Sequence, residues 1–151
     1  MSSILVVDDE SPMRELLVRW LTPAGYQTKE APDAETALEL LTATPFDVVL
    51  SDVQMPGHDG LWLVKRIRER FPRVAVLLAT AVQTVPPAVS MQDGVIAYLV
   101  KPLDRKKVLA AVSEAMNWQQ AAAVGKHPTR PTAVDPVMDW LNGGRSRKSS
   151  T

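Results

Sequence analysis

The sequence of 151 residues contains no cysteine, which excludes disulfide bonds and thiol chemistry. It also lacks any apolar stretch near the roughly 20 residues that a membrane-spanning helix needs. The short polar segment before the first apolar run has no basic region and no cleavage site, so no secretory signal is expected. Together these absences predict a cytoplasmic protein that does not enter the membrane.

Excess charge of one sign is also missing, because 17 basic side chains balance 17 acidic ones. The distribution is uneven: residues 1–119 carry 12 Lys/Arg and 15 Asp/Glu, whereas residues 120–151 carry 5 and 2. A mildly acidic body with a mildly basic tail gives no reason to expect a nucleic-acid partner. A hydrophobic content of 46% is typical of a globular domain with a real core.

Four short apolar runs each lead to a polar side chain that chemistry could use. The runs are residues 4–7, 48–50, 74–79 and 95–100, and the polar groups that follow are Asp8 and Asp9, Asp52, Thr80 and Lys101. Unbroken apolar runs of this length are typical of strands buried on both faces of a parallel sheet. Because the carboxyl ends of parallel strands share one edge, where open α/β sheets bind ligands, we expect these groups to meet.

Strand-like and helix-like segments alternate along residues 1–119, which predicts an α/β domain. The expected fold is a doubly wound, flavodoxin-like sheet of five parallel strands in the order 2-1-3-4-5, with five surrounding helices. The more polar residues 26–31 suit an edge strand. Helix N-caps are expected at Ser11, Asp33 and Asp104, and a third helix is expected to begin at Asp59 and Gly60. The fourth helix should be short or irregular, since Pro86 and Pro87 fall within it.

The periodic pattern dissolves in residues 120–151, which form a Pro/Arg/Ser-rich tail or linker. Within it, residues 135–142 could form two helical turns. The last seven residues, rich in serine, arginine and lysine, are expected to be disordered.

Carboxylates from neighbouring strands 1 and 3 would repel one another unless a cation lay between them. Magnesium prefers oxygen ligands and commonly takes one or two carboxylates, and a carboxylate can also attack phosphorus to form an aspartyl phosphate. We therefore assign Asp52 as the nucleophile, and Asp8, Asp9, Asp52 and the backbone carbonyl of Gln54 as Mg²⁺ ligands. Lys101 and Thr80 would bind phosphoryl oxygens.

Four sequence motifs carry a resemblance to a known family. They are residues 6–10 (VVDDE), 52–60 (DVQMPGHDG), 79–81 (ATA) and 98–102 (YLVKP). In this order and at these strand ends, they resemble the receiver domain of bacterial two-component response regulators. The resemblance extends from about residue 4 to residue 118.

The resemblance implies that Asp52 is phosphorylated by a sensor histidine kinase or a phosphotransfer protein, with Mg²⁺ required. Thr80 and Tyr98 match the family's switch pair, which reshapes the face formed by the fourth helix, fifth strand and fifth helix. That face could also form a homodimer. Kinase recognition is expected on the first helix, near Arg14, Arg19 and Trp20. The domain would catalyse only its own phosphorylation and slow dephosphorylation, and the peptide between Lys101 and Pro102 could be cis.

Alternatives remain open at this stage. The chain could be a receiver-like interaction module that is never phosphorylated, or a Mg²⁺-dependent phosphatase with an aspartate nucleophile. The latter would need an Asp-x-Asp motif, which the segment from Asp8 to Glu10 lacks. His58 is expected to be a solvated loop residue rather than an acid–base group. The downstream target could be a separate effector protein or a missing C-terminal output domain.

Overall fold

The computed structural model describes residues 2–81 and 94–124, in which strands and helices alternate. The strands are β1 (Ser3–Val7), β2 (Gln27–Ala31), β3 (Val48–Asp52), β4 (Ala75–Thr80) and β5 (Val95–Val100). The helices are α1 (Ser11–Leu21), α2 (Ala34–Ala43), α3 (Gly60–Arg70) and α4 (Arg105–Ala123). None of these helices is long and apolar enough to cross a membrane.

The five strands form one parallel sheet in the order β2-β1-β3-β4-β5, which confirms the predicted topology. The register pairs Val7 of β1 with Ser51 of β3, and Asp52 of β3 with Ala79 of β4. Thr80 of β4 pairs in turn with Val100 of β5. The last residues of four neighbouring strands therefore lie side by side at one edge.

Burial follows the position of each strand in the sheet. Every residue of β3 and β4 is buried, whereas the edge strand β2 buries only Ala31 among its five residues. Helices pack on both faces, so the central strands are apolar throughout, and burying each aliphatic side chain contributes about 1.5–3 kcal/mol. This packing fixes the strand ends, and hence the polar groups that follow them, on a rigid base.

Three of the four described helices begin at an aspartate, as predicted. The carboxylates of Asp33, Asp59 and Asp104 each accept a hydrogen bond from a backbone amide three residues on, in Thr36, Trp62 and Lys107. Such N-caps satisfy an amide that has no partner inside the helix and contribute about 1 kcal/mol each.

The predicted cap at Ser11 is wrong by one residue. Helix α1 already includes Ser11, its N-cap is Glu10, and no side chain caps it. The Glu10 amide donates a hydrogen bond to the Asp8 carboxylate at 2.9 Å. Pro12 fits the first turn because an amide there has no intrahelical acceptor.

Two sequence predictions lie outside the described residues. The short or irregular fourth helix falls in residues 82–93, and the helical turns at residues 135–142 fall in the tail. Helix α4 corresponds to the predicted fifth helix and ends at Ala123, a few residues beyond the boundary placed at 119.

Candidate functional site

Three carboxylates converge where β1 and β3 end side by side. One oxygen from each of Asp8, Asp9 and Asp52 lies within 4.8 Å of the other two. Asp8 and Asp52 are buried, and Asp9 is exposed at the rim. The structure thus brings together the acidic side chains that the strand pattern placed at this edge.

Lys101 supplies the cation of the cluster from the end of β5. Its Nζ lies 3.2 Å from Asp52 Oδ2 and 3.5 Å from Asp8 Oδ2. The Lys101 amide donates to the Thr80 carbonyl at 2.8 Å, which extends the β4–β5 ladder by one residue. The peptide bond between Lys101 and Pro102 is cis, as the resemblance allowed.

Burial and neighbouring charges shift the pKa values of Asp52 and Lys101. Burial raises the pKa of Asp52 above its usual value, and the Asp8 carboxylate adds to the rise, while the Lys101 ammonium opposes it. For Lys101, burial alone would lower the pKa, but the carboxylates of Asp52 and Asp8 outweigh burial and raise it. A single ammonium therefore faces more negative charge than it can balance.

Asp52 is held by the backbone around it. Its Oδ1 accepts a hydrogen bond from the Gln54 amide at 3.3 Å. Helix α3 begins directly against this strand end, since the Gly60 amide donates to the Val53 carbonyl at 2.8 Å. A Cβ at position 60 would stand 2.8 Å from Val53 Cα and would overlap the Asp52 carbonyl oxygen. Glycine is thus the residue that permits this close approach.

Thr80 and Tyr98 occupy neighbouring strands on one face of the sheet. Thr80 ends β4 and is 1% exposed, and Tyr98 is 0% exposed within β5. Tyr98 pairs with Leu78, two residues before Thr80, and residues two apart on a strand share a face. The hydroxyl predicted to bind phosphate and the aromatic ring predicted to respond to it therefore lie on the same side of adjacent strands.

His58 is exposed in the loop between β3 and α3. Its ring stacks on Trp62, with centroids 3.8 Å apart, and its Nε2 lies 3.4 Å from Glu35 Oε2. The side chain is 48% exposed, so it is partly solvated, as expected, but it is also engaged by two neighbours. Sequence reasoning did not anticipate this stacking.

Arg14 is the residue near the cluster that sequence reasoning assigned differently. Its Nη1 donates to the Asp8 carbonyl at 2.7 Å, and its Nε donates to Glu30 Oε1 at 3.0 Å. The family resemblance implied a kinase-recognition surface near Arg14, which stays a prediction, and no local sequence pattern indicates that its side chain turns back toward β1 and β2.

The donor set suits a hard divalent cation. All three acidic residues offer carboxylate oxygens, the ligands that Mg²⁺ prefers, and within residues 2–81 and 94–124 no sulfur or imidazole ligand joins them in the cluster. The negative charge left over after Lys101 also favours a cation. Asp8, Asp9 and Asp52 therefore have the donor atoms to hold Mg²⁺. Asp9 is the exposed member of the three, so it lies on the solvent side of the cluster.

Comparison with known proteins gives consistent results. Residues 4–113 match the family described as the response regulator receiver domain. The chain is 40% identical over 137 residues to the DNA-binding transcriptional regulator NtrC of Klebsiella pneumoniae. It is 37% identical over 141 residues to the response regulator protein FleR of Pseudomonas aeruginosa. These matches cover 90% and 93% of this chain but only 29% of each relative.

A solved structure extends the comparison to the fold. The response regulator protein TrrA from Thermotoga maritima, in complex with Mg²⁺-BeF, superposes with a TM-score of 0.70. The two sequences are 32% identical, and the match covers 76% of this chain and 99% of that one.

Proposed function

The chain belongs to the response regulator receiver domain family of two-component signalling, and on that basis we propose that Asp52 is its phosphoacceptor. The observation that carries the proposal is the 3.2 Å contact between the Asp52 carboxylate and the Lys101 ammonium inside an acidic cluster. Asp52 is anchored by the Gln54 amide through Oδ1, which leaves Oδ2 facing the lysine.

The proposed step is an in-line displacement at phosphorus. An Asp52 carboxylate oxygen attacks the phosphoryl group of a phosphohistidine on a sensor kinase or a phosphotransfer protein. An O–P bond forms and the N–P bond breaks, and the electron pair leaves with the imidazole, which takes up a proton. With acetyl phosphate as donor, the broken bond is O–P and the leaving group is acetate.

The chain's own residues would position and neutralise the transferred group. Lys101 would move from the Asp52 carboxylate to a phosphoryl oxygen, and the Thr80 hydroxyl would donate to another. Asp8, Asp9, Asp52 and the Gln54 carbonyl would hold Mg²⁺. When bound, the ion would supply positive charge against the phosphoryl oxygens.

We also propose that Thr80 and Tyr98 carry the signal to one face of the domain. That face would be formed by β5, α4 and the helix that the sequence predicts between β4 and β5. Their common side of the sheet supports this, because a shift of one could be felt by the other. A homodimer through this face is one outcome, and size measurement with and without beryllofluoride would detect it.

The output of the whole protein is a further proposal. The chain spans about 29% of the length of the relatives NtrC and FleR. We expect residues 1–119 to act as the receiver and residues 120–151 as a tail or linker, which leads either to an output domain or to nothing further. In the latter case the target would be a separate effector protein.

The test is incubation with acetyl phosphate and Mg²⁺, followed by intact mass measurement. We expect a gain of one phosphoryl group, and no gain when Mg²⁺ is removed with a chelator. A protein that never gains mass would instead be an interaction module. Steady hydrolysis of a generic phosphate ester would indicate a phosphatase.

A further inference from the structure

We propose that Arg14 is a positioning residue for the metal site, because its guanidinium fixes the peptide that joins Asp8 to Asp9. The inference rests on the proposed function and deepens it. It gives Arg14 a role inside the receiver, whereas the family resemblance assigned this part of α1 to kinase recognition.

The guanidinium bridges two elements at the edge of the sheet. Its Nη1 donates to the Asp8 carbonyl at 2.7 Å, and its Nε donates to Glu30 of β2 at 3.0 Å. The Arg14 side chain is only 17% exposed, so it lies against the protein rather than extending into solvent. Arginine suits this place because its donors are held in a rigid, planar fork.

The Asp8 carbonyl needs such a partner because regular strand pairing stops before it. The register between β1 and β2 ends at Val7 and Ala31, and the Asp8 amide makes one further bond, to the Ala31 carbonyl at 3.1 Å. The Asp8 carbonyl therefore lies beyond the paired residues of β1 and β2, and it accepts a hydrogen bond from Arg14 Nη1.

Holding this carbonyl also orients Asp9. The peptide unit is planar, so the Asp8 carbonyl, the Asp9 amide and the Asp9 Cα rotate together. The Asp8 carboxylate has its own restraint from the Glu10 amide at 2.9 Å. Asp9 is the exposed member of the cluster, and the orientation of this peptide sets the direction in which its side chain leaves the backbone.

Two physical effects predict opposite results when Arg14 is removed. If Arg14 acted only as a nearby positive charge, its loss would tighten Mg²⁺ binding, because repulsion of the cation would fall. If Arg14 positions the peptide, its loss would weaken Mg²⁺ binding, because Asp9 would no longer be held. The sign of the change in affinity therefore decides between them.

The experiment is calorimetric titration of the full chain with Mg²⁺, without any phosphodonor. We expect Arg14→Ala to weaken Mg²⁺ binding about tenfold, the lower end of the loss typical when a group that orients a metal ligand is removed. Unchanged or tighter binding would overturn the inference. The same variant should also be phosphorylated more slowly by acetyl phosphate, a reaction that involves no kinase.

Three variants serve as controls. Arg70→Ala removes an exposed arginine from α3 and should leave Mg²⁺ affinity unchanged. Arg14→Lys keeps the positive charge but loses the planar guanidinium. Weaker Mg²⁺ binding in this variant would therefore report the geometry alone, whereas wild-type affinity would count against the inference. Glu30→Ala removes the β2 acceptor of the Arg14 guanidinium and should also weaken Mg²⁺ binding. Urea unfolding of each variant separates a local effect from loss of the fold.

The outcomes for the inference and for the proposed function can be told apart. A wild type that binds no Mg²⁺ would overturn the proposed function, and this inference with it. A different result would overturn this inference alone. In that result the wild type binds Mg²⁺ and is phosphorylated, and Arg14→Ala slows phosphorylation by a histidine kinase but not by acetyl phosphate.

Discussion

The Lys101 ammonium lies 3.2 Å from the Asp52 carboxylate, although Lys101 follows the last strand of the sheet and Asp52 ends its central strand. The contact spans the β4 strand between them, so the two backbones are two strand spacings, about 10 Å, apart, and the lysine and aspartate side chains together cover that distance. It gives the buried carboxylate a counter-charge. The same ammonium also lies 3.5 Å from Asp8 Oδ2, so one positive charge is shared between two carboxylates.

Replacing the buried carboxylate should stabilise the fold at neutral pH. Burial raises the pKa of Asp52 in the folded state, so the folded protein holds this proton more tightly than the unfolded chain. The resulting stability is present below the unfolded pKa near 3.8 and is lost as pH rises through the folded pKa. Without divalent cations, Asp52→Asn should therefore raise the free energy of unfolding at pH 7.

Urea unfolding at several pH values checks this prediction. The gain from Asp52→Asn should shrink as pH falls toward the unfolded pKa. Glu39→Gln, which neutralises an exposed carboxylate on α2, should give no comparable gain. An Asp52→Asn protein less stable than the wild type at pH 7 would show that the ion pair with Lys101 outweighs burial.

Removal of Lys101 should have the opposite effect on stability. Lys101→Met leaves the carboxylates of Asp8 and Asp52 without their cation and should destabilise the protein by about 1–3 kcal/mol in the absence of Mg²⁺. Added Mg²⁺ should restore part of the loss, because it supplies positive charge to the same oxygens. Urea unfolding with and without Mg²⁺ measures both effects. Lys65→Met, at an exposed position on α3, is the matched control and should change neither value.

A methyl group at position 60 should disturb Asp52 directly. Gly60→Ala would place Cβ 2.8 Å from Val53 Cα and into the Asp52 carbonyl, so either α3 or the end of β3 must move. Overpacking of this kind costs about 1–3 kcal/mol. We expect lower stability together with slower phosphorylation by acetyl phosphate.

Gly25→Ala separates strain from displacement of the site. Gly25 has a φ of 103°, and a Cβ there would meet no atom within 4 Å. Its replacement should cost about 1–2 kcal/mol through backbone strain while leaving the phosphorylation rate intact. If the two alanine variants slow phosphorylation equally, the contact of Gly60 with the strand end has no special role.

The cap of α2 should be sensitive to acid. Hydrogen bonding to Thr36 lowers the pKa of Asp33, so its stabilising effect is present above the unfolded pKa near 3.8 and is lost as pH falls through the lower folded pKa. Asp33→Ala should cost about 1 kcal/mol at pH 7 and less in strong acid. Glu39→Ala on the same helix, which caps nothing, is the control for thermal or urea unfolding. Equal losses in both variants would contradict the capping role.

Much of the fold could be predicted because its signals are local. Apolar runs identify the strands, and Asp33, Asp59 and Asp104 mark helix starts through hydrogen bonds within three residues. The strand order then followed from the usual arrangement of a doubly wound sheet. It placed Asp8 and Asp52 at one edge, where the structure has them.

The features that sequence reasoning did not anticipate are specific side-chain contacts that the sequence patterns do not describe. The N-cap of α1 is Glu10 rather than Ser11, and the Glu10 amide donates to the Asp8 carboxylate, a contact that a capping rule for serine does not consider. Arg14 reaches Glu30, sixteen residues away in sequence, through a turn whose geometry only the folded chain defines. The stacking of His58 on Trp62 likewise requires the loop to fold back on α3.

The most direct measurement is the intact mass of the wild type and of Asp52→Asn after incubation with acetyl phosphate and Mg²⁺. The wild type should gain one phosphoryl group, and the asparagine variant should gain none, although its fold is intact by urea unfolding. A mass gain that persists in Asp52→Asn, or that never occurs in the wild type, would contradict the assignment of Asp52 as the phosphoacceptor.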